Sequence, residues 1–378
     1  MQKFIVRSAL ALIATVAALG ATPATSKLLI EVKCGDTITA DTTLDSDLTD
    51  CPNNGVLIGA DGVTLDLNGH VIEGDGAPFA QCRPRREACD FGVLNEGHDG
   101  VTVRNGSVEG FATGVDIARA RENRVLGVSS SRNQFFGFVI ARSARSVIRD
   151  SAGNDNPVPD GDGLGVFASH DVRILGNSFR RNALGVHVAD SSAVLIRGNV
   201  FSRTRTEDIK LEGDRNQVRG NRCARGGPCV VVHGNRNVIA GNRSLRDEGG
   251  VLIEQGRGNL VTRNVVVRAR RDGIHLAFEG SGLSSANNVV RRNVVRGSRG
   301  DAFMVASPDR HSFLGGNLAI AAEGDGFDID SSSARLRNNR AVRNAELGIE
   351  AVHGVIDGGG NTARHNGDPR RCTNISCR

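Results

Sequence analysis

Asparagine recurs along this chain at Asn177, Asn199, Asn221, Asn242 and Asn264, with spacings of 22, 22, 21 and 22. The series runs on through Asn293, Asn317, Asn339 and Asn361. Each period reads as a short apolar strand, a polar turn, a second apolar pair, Gly-Asn or Arg-Asn, and another turn. A repeat of this length cannot bury its apolar face alone, so neighbouring repeats must stack into a solenoid. The sequence predicts an all-β, single-stranded right-handed parallel β-helix of about 12–13 coils. The expected order is a signal peptide over 1–26, an N-terminal cap over 27–53, the β-helix over 54–361 and a C-terminal cap over 362–378.

Alternation in strands sorts side chains by face. The first strand of each coil supplies inward pairs, predicted as Val115/Ile117, Phe138/Ile140, Leu164/Val166, Val186/Val188, Ile209/Leu211, Val230/Val232, Val251/Ile253, Ile274/Leu276, Phe303/Val305 and Phe327/Ile329. The Asn series is read as structural: each amide bonds to the Asn of the next coil, and Asn itself takes the left-handed turn conformation.

The LDLNGHVIEG opening after Thr64, the G-V-x-V strand starts and the repeated R/G-N together resemble the right-handed parallel β-helix family, the pectate-lyase-like superfold, over Gly55 to Asn361. That resemblance implies the fold. It leaves open polysaccharide lyases, glycoside hydrolases, uronan epimerases, adhesins and NosD-like proteins of copper-site assembly. The polygalacturonase set of motifs is not present in order, and Glu207-Asp208-Ile209-Lys210 matches its last member only loosely. Tyr is absent, which excludes the mannuronan-epimerase motif, and neither Trp nor Tyr is available to stack on sugars. Copper delivery fits poorly, with two Met and nine scattered His.

A basic start at Lys3 and Arg7, an apolar run from Ala9 to Leu19 and small residues beyond it read as a secretory signal, with cleavage after Ala18-Leu19-Gly20 or Ala24-Thr25-Ser26. No stretch is long and apolar enough to read as a membrane span. The expected destination is the periplasm or the medium. Eight cysteines fall into four close pairs, Cys34/Cys51, Cys82/Cys89, Cys223/Cys229 and Cys372/Cys377, expected as disulfides, with a zinc cluster as the rival. Charges of both signs are interspersed around a formal net charge of +5, which gives no case for nucleic-acid binding, since that wants a concentrated basic stripe. A monomer is expected.

Outward residues are where chemistry can sit. One column reads Asp116, Val139, Gly165, His187, Lys210, Val231, Leu252, His275, Met304, Asp328 and Glu350. Two residues on, a second reads Ala118, Ala141, Phe167, Ala189, Glu212, His233, Glu254, Ala277, Ala306 and Asp330. The candidate catalytic set is His187, Lys210, Glu212, His233 and Glu254; Asp272, His275 and Asp301, at the strand edge beside Glu207, are candidate substrate contacts. Glu212 and Glu254 are two coils apart, so roughly 9–10 Å separates them, near the limit for an inverting glycosidase pair. Alternatively Lys210 or His187 removes a proton beside a uronate carboxylate that a cation or Arg neutralises. A third option is that the Glu-His-Glu ladder holds a metal ion, though no metal-ligand set is assigned; a divalent cation such as calcium is the cofactor these options admit. The partner expected is a polysaccharide, against the alternative of a non-catalytic surface scaffold or adhesion protein. Insertions interrupt the coils at Glu73–Asp90, Ala152–Asp162 and Phe278–Ala286; the Asn154–Asp162 and Phe278–Ala286 loops are the candidate walls of a site.

Overall fold

All ten predicted inward pairs are buried, none more than 3% exposed, and they form one continuous apolar column. The computed structural model describes residues 31–77, 90–156, 161–277 and 285–378, and these contain no helix. The expected signal segment, Cys82 with Cys89, and parts of all three insertions lie outside the described residues. Among those described, no helix is long and apolar enough to cross a membrane.

A parallel sheet of fourteen successive strands runs from Asp36–Ile38 to Ile349–Ala351, each strand pairing with its counterpart one coil away. There are about fourteen coils rather than 12–13, because Asp36–Ile38, in the stretch expected to cap the helix, already pairs with Asn54–Ile58. Each regular coil holds three strands, such as Val186–Ala189, Leu195–Arg197 and Val200–Ser202. The third had no separate place in the sequence reading. Three residues after the Asn are too few to display alternation, yet Phe201 and its counterpart Phe179 point inward and stack at 5.3 Å. Each such buried side chain contributes on the order of 1.5–3 kcal/mol.

The Asn spine forms as expected. From Asn177 to Asn361 each Nδ2 donates to the Oδ1 of the Asn one coil on, at 3.0–3.3 Å. The same Oδ1 accepts a backbone N–H, as from Asn199 to Asn221 at 2.9 Å, so the buried amides are satisfied. The backbone expectation needs correction. The left-handed residue is the one before the Asn: Gly176, Gly198, Gly220, Gly241, Arg263, Arg292, Gly316, Asn338 and Gly360. The Gly or Arg of the motif makes the turn, and the Asn fills it. A second spine, Asn216, Asn237, Asn259 and Asn288, holds the turn after the first sheet.

Disulfides join Cys34–Cys51, Cys223–Cys229 and Cys372–Cys377. The outer two sit in the terminal regions. Cys223 occupies the inward position that Phe201 fills one coil earlier, so the middle bridge is buried in the core.

Candidate functional site

The first sheet places the first outward column as read: Asp116, Val139, Gly165, His187, Lys210, Val231, Leu252, His275, Met304, Asp328 and Glu350 pair in unbroken register. The second column holds from Ala118 through Glu212. It then breaks: the register slips after Val232, and His233 pairs with Gln255 instead of Glu254. Ala277 and Ala306, expected outward, are fully buried, because the first-sheet strands end at Leu276 and Val305.

Despite the slip, the central residues meet. The Glu212 carboxylate lies 2.7 Å from His187 Nε2, 2.8 Å from Lys210 Nζ and 3.5 Å from His233 Nδ1. His233 Nε2 in turn contacts the Glu254 carboxylate, and Asp162 lies 3.9 Å from His187 Nδ1. Alternating acid and base therefore run along the axis through Asp162, His187, Glu212, His233 and Glu254. A cleft of about 360 Å³ opens beside them, lined by Ser192, Glu212, Asp214, His233 and Asn235 among others.

Electrostatics assigns these groups. Burial would raise the Glu212 carboxyl, but hydrogen bonds from Lys210 and His187 outweigh it and hold the group at about 2. Burial would lower the Lys210 ammonium, yet the Glu212 carboxylate outweighs that and raises it. Both stay charged at neutral pH. His233 fills the gap between Glu212 and Glu254 that an inverting pair would leave for water.

Asp272, His275 and Asp301 sit further along the same sheet, where carboxyls follow one another. Asp272 accepts from His275 at 3.1 Å and from the Asp301 N–H at 2.9 Å; Asp301 accepts from the Asp325 N–H at 2.6 Å. Burial raises Asp301 to about 6, with Asp272 and Glu346 adding to it. Asp328 is raised to about 7 by burial and by Asp330, and Asp325 to about 8 by burial and a hydrogen bond with Glu350. For Asp272 burial works upward, but the hydrogen bond from His275 and the Asp301 N–H prevail and lower it. Glu207 does not join this group, since Pro228 and Gly249 occupy its position in the two intervening coils. A second cleft, of about 430 Å³, is lined by Asp325, Glu346, Glu350 and Asp368 among others.

Sequence reasoning missed Asp325, although Asp-Gly before an apolar residue recurs at Asp162, Asp272 and Asp325 and could have marked it. It also missed an aromatic platform. Phe136 and Phe167 pack edge to face at 5.7 Å over Gly165, and Phe167 meets the His187 ring at 5.4 Å. Both phenylalanines are half-buried on the outward face.

A model of the right-handed β-helix region matches residues 162–307. A model of the periplasmic copper-binding protein NosD matches residues 34–208. The residues present do not fit copper. Among those described, the one group of three ligand side chains converging within 4.8 Å is Asp208, Cys223 and Cys229, and its two sulfurs are bonded to each other. No curated protein matches the sequence. Among solved structures, the catalytic unit of a GH87 α-1,3-glucanase from Streptomyces thermodiastaticus superposes with TM-score 0.51 at 14% identity, covering 89% of this chain and 64% of that one. The tailspike of Escherichia coli bacteriophage HK620, in complex with a hexasaccharide, gives 0.49 at 11%, covering 90% and 73%. PfbA, a surface adhesin of Streptococcus pneumoniae, gives 0.47 at 11%, covering 79% and 83%. Likeness at these identities concerns fold alone. A continuous parallel solenoid and matches to two family models, each over less than half of the chain, make this a right-handed parallel β-helix repeat protein.

Proposed function

We propose that this protein, outside the cytoplasm, binds and processes a polysaccharide chain laid along the outward face of its first sheet. One observation carries the reading: an aromatic platform, a charged binding cluster and a set of carboxyls of split protonation follow one another along a single face. Phe136 and Phe167 offer an apolar surface to the C–H face of a sugar ring. His187, Lys210, Glu212, His233 and Glu254 offer donors and acceptors fixed by their mutual contacts to ring hydroxyls. Hydrolysis needs a protonated carboxyl beside an ionised one. Asp301 or Asp328, raised, and Asp272, lowered, meet that need; Lys210 and Glu212 do not. The disulfides and the likeness to a periplasmic family support the location.

The test is a screen of neutral and acidic polysaccharides for binding, for new reducing ends and for unsaturated products. Lys210→Ala, Glu212→Ala and Asp301→Asn are assayed in parallel. Reducing ends lost in Asp301→Asn, with binding lost in Lys210→Ala or Glu212→Ala, support the reading. Variants indistinguishable from the parent on a substrate that is turned over would place the site elsewhere.

A further inference from the structure

The turn that follows the third strand carries an arginine in four consecutive coils: Arg203, Arg225, Arg246 and Arg268. Each takes a left-handed conformation, with φ between 56° and 61°. Arg203 N donates to Ala224 O at 3.2 Å, Arg225 N to Leu245 O at 3.1 Å and Arg246 N to Val267 O at 2.9 Å, which stacks the four in single file. Their spacing is that of the coils, about 4.8 Å. All four are exposed, and none has a carboxylate partner among the described residues. Paired arginines elsewhere make the contrast: Arg181, one coil earlier in the same file, is held by Asp155, and Arg271 by Glu248. Beside the file, Arg222 and Arg243 pair directly in register, both exposed and also without a carboxylate. Like charges directly opposite destabilise a sheet. Six unneutralised guanidiniums over four coils are a cost to folding that a bound anion would offset.

We propose that this file binds an anionic polysaccharide, carboxylated or sulfated, lying parallel to the solenoid axis with its acid groups meeting successive arginines. This rests on the polysaccharide reading above and deepens it by naming the substrate class. A guanidinium takes a carboxylate or sulfate through two parallel hydrogen bonds, and one pyranose unit in an extended chain advances by a length close to one coil. The file is joined to the first-sheet face. A few residues beyond Arg225, Arg246 and Arg268, where the turns lead into the first sheet, a shallow groove of about 110 Å³ is lined by Pro228, Gly249, Leu252, Asp272 and His275 among others. Single-stranded nucleic acid is the less apt polyanion: its binding sites pair basic residues with stacking aromatics, and none of the turns at 203–207, 225–228, 246–249 and 268–271 contains one.

The test is affinity electrophoresis of the full exported chain in gels containing polygalacturonate, its methyl-esterified form, dextran or oligo(dT), across a salt series. The variant is the double substitution Arg225→Asn and Arg246→Asn, which preserves the left-handed turns because Asn tolerates them. An unchanged or higher thermal midpoint shows that the variant folds. The expected result is retardation by polygalacturonate that weakens with salt and with esterification, and that falls at least about tenfold in the double variant. Equal retardation of variant and parent overturns the proposal, as does equal retardation by dextran or stronger retention by oligo(dT). If a polysaccharide is bound or cleaved and only first-sheet variants impair it, the arginine proposal fails while the proposed function stands. If no polysaccharide of any charge is bound, both fail.

Discussion

Two stretches of one sheet face, built on coils of the same design, hold their acids in opposite states. At the central coils Glu212 is surrounded by His187, Lys210 and His233, and its carboxyl is held at about 2. Further along, Asp301, Asp325 and Asp328 have mainly other carboxyls around them and rise to about 6, 8 and 7. Burial pushes upward in both places; what differs is the sign of the neighbours. A vertical column at fixed spacing makes each outward residue a neighbour of the one a coil away, so one substitution resets the protonation of two others. The fold thereby separates charge-paired carboxyls from mutually crowded ones along a single axis.

The strongest way to break this division is Asp301→Asn. The amide oxygen can still accept from the Asp325 N–H, so the turn survives. Loss of a general acid should lower turnover by about 10²–10⁴-fold with little change in binding. Turnover that survives, or that instead disappears in Glu212→Gln, would reverse the two roles.

Next in size is a control showing that the difference is confined to the outward face. Asn221→Ala and Asn317→Ala remove equivalent spine members behind the two regions, each bonded to the coils on both sides. Each should cost about 2–4 kcal/mol, because buried partners lose their bonds, and the two losses should agree. Chemical denaturation measures both. Clearly unequal losses would mean that the coils themselves differ.

How far these regions could be read from the sequence follows from the same geometry. The spine and the inward pairs were legible because burial repeats with the coil, and any error of one residue would have put apolar side chains in water. The first outward column was legible as their complement. The slip at His233 was not, since it depends on one extra residue in the strand Val251–Arg257, whose sequence alternates smoothly through Glu254. The contact of Lys210, Glu212 and His233 was visible as proximity, but its consequence needed distances: the Glu212 carboxylate 2.8 Å from Lys210 Nζ favours the ammonium form. Phe136 and Phe167 were overlooked because one was never placed on a face and the other stood in the stretch of a column, Ala118 to Ala189, otherwise filled by alanine.

A smaller effect sharpens the binding half. Phe167→Ala removes a platform ring beside His187 and should weaken saccharide binding about tenfold while leaving any turnover rate at saturation unchanged. Calorimetric titration with a bound oligosaccharide, alongside saturating rates, separates the two. A variant that loses rate and keeps affinity would move the platform into the chemical step.

The smallest effect is also the most direct comparison, because it uses pH alone. Asp301, Asp325 and Asp328 have folded values above the ordinary 3.8, so between about pH 4 and 8 the folded chain holds protons that the unfolded chain has lost. Their coils should therefore become more stable as pH falls from 8 towards 4. Glu212 is depressed from 4.5 to about 2, so its contribution is complete above about pH 4.5 and is lost as pH falls towards 2. Native-state hydrogen exchange can follow both at once, through the amides of Phe303–Val305 and Phe327–Ile329 against those of Ile209–Glu212. Between pH 8 and 5 protection should rise in the first group; in the second, buried Asp208 and Asp247, both raised by burial, also favour the lower pH, so the two groups part below pH 4.5. Below pH 4.5 it should fall in the second. Because solenoid coils are coupled mainly to their neighbours, the two trends can coexist in one molecule. A single trend shared by both groups would mean that outward charge does not set local stability here, and the contrast between Glu212 and Asp301 would then lose its physical basis.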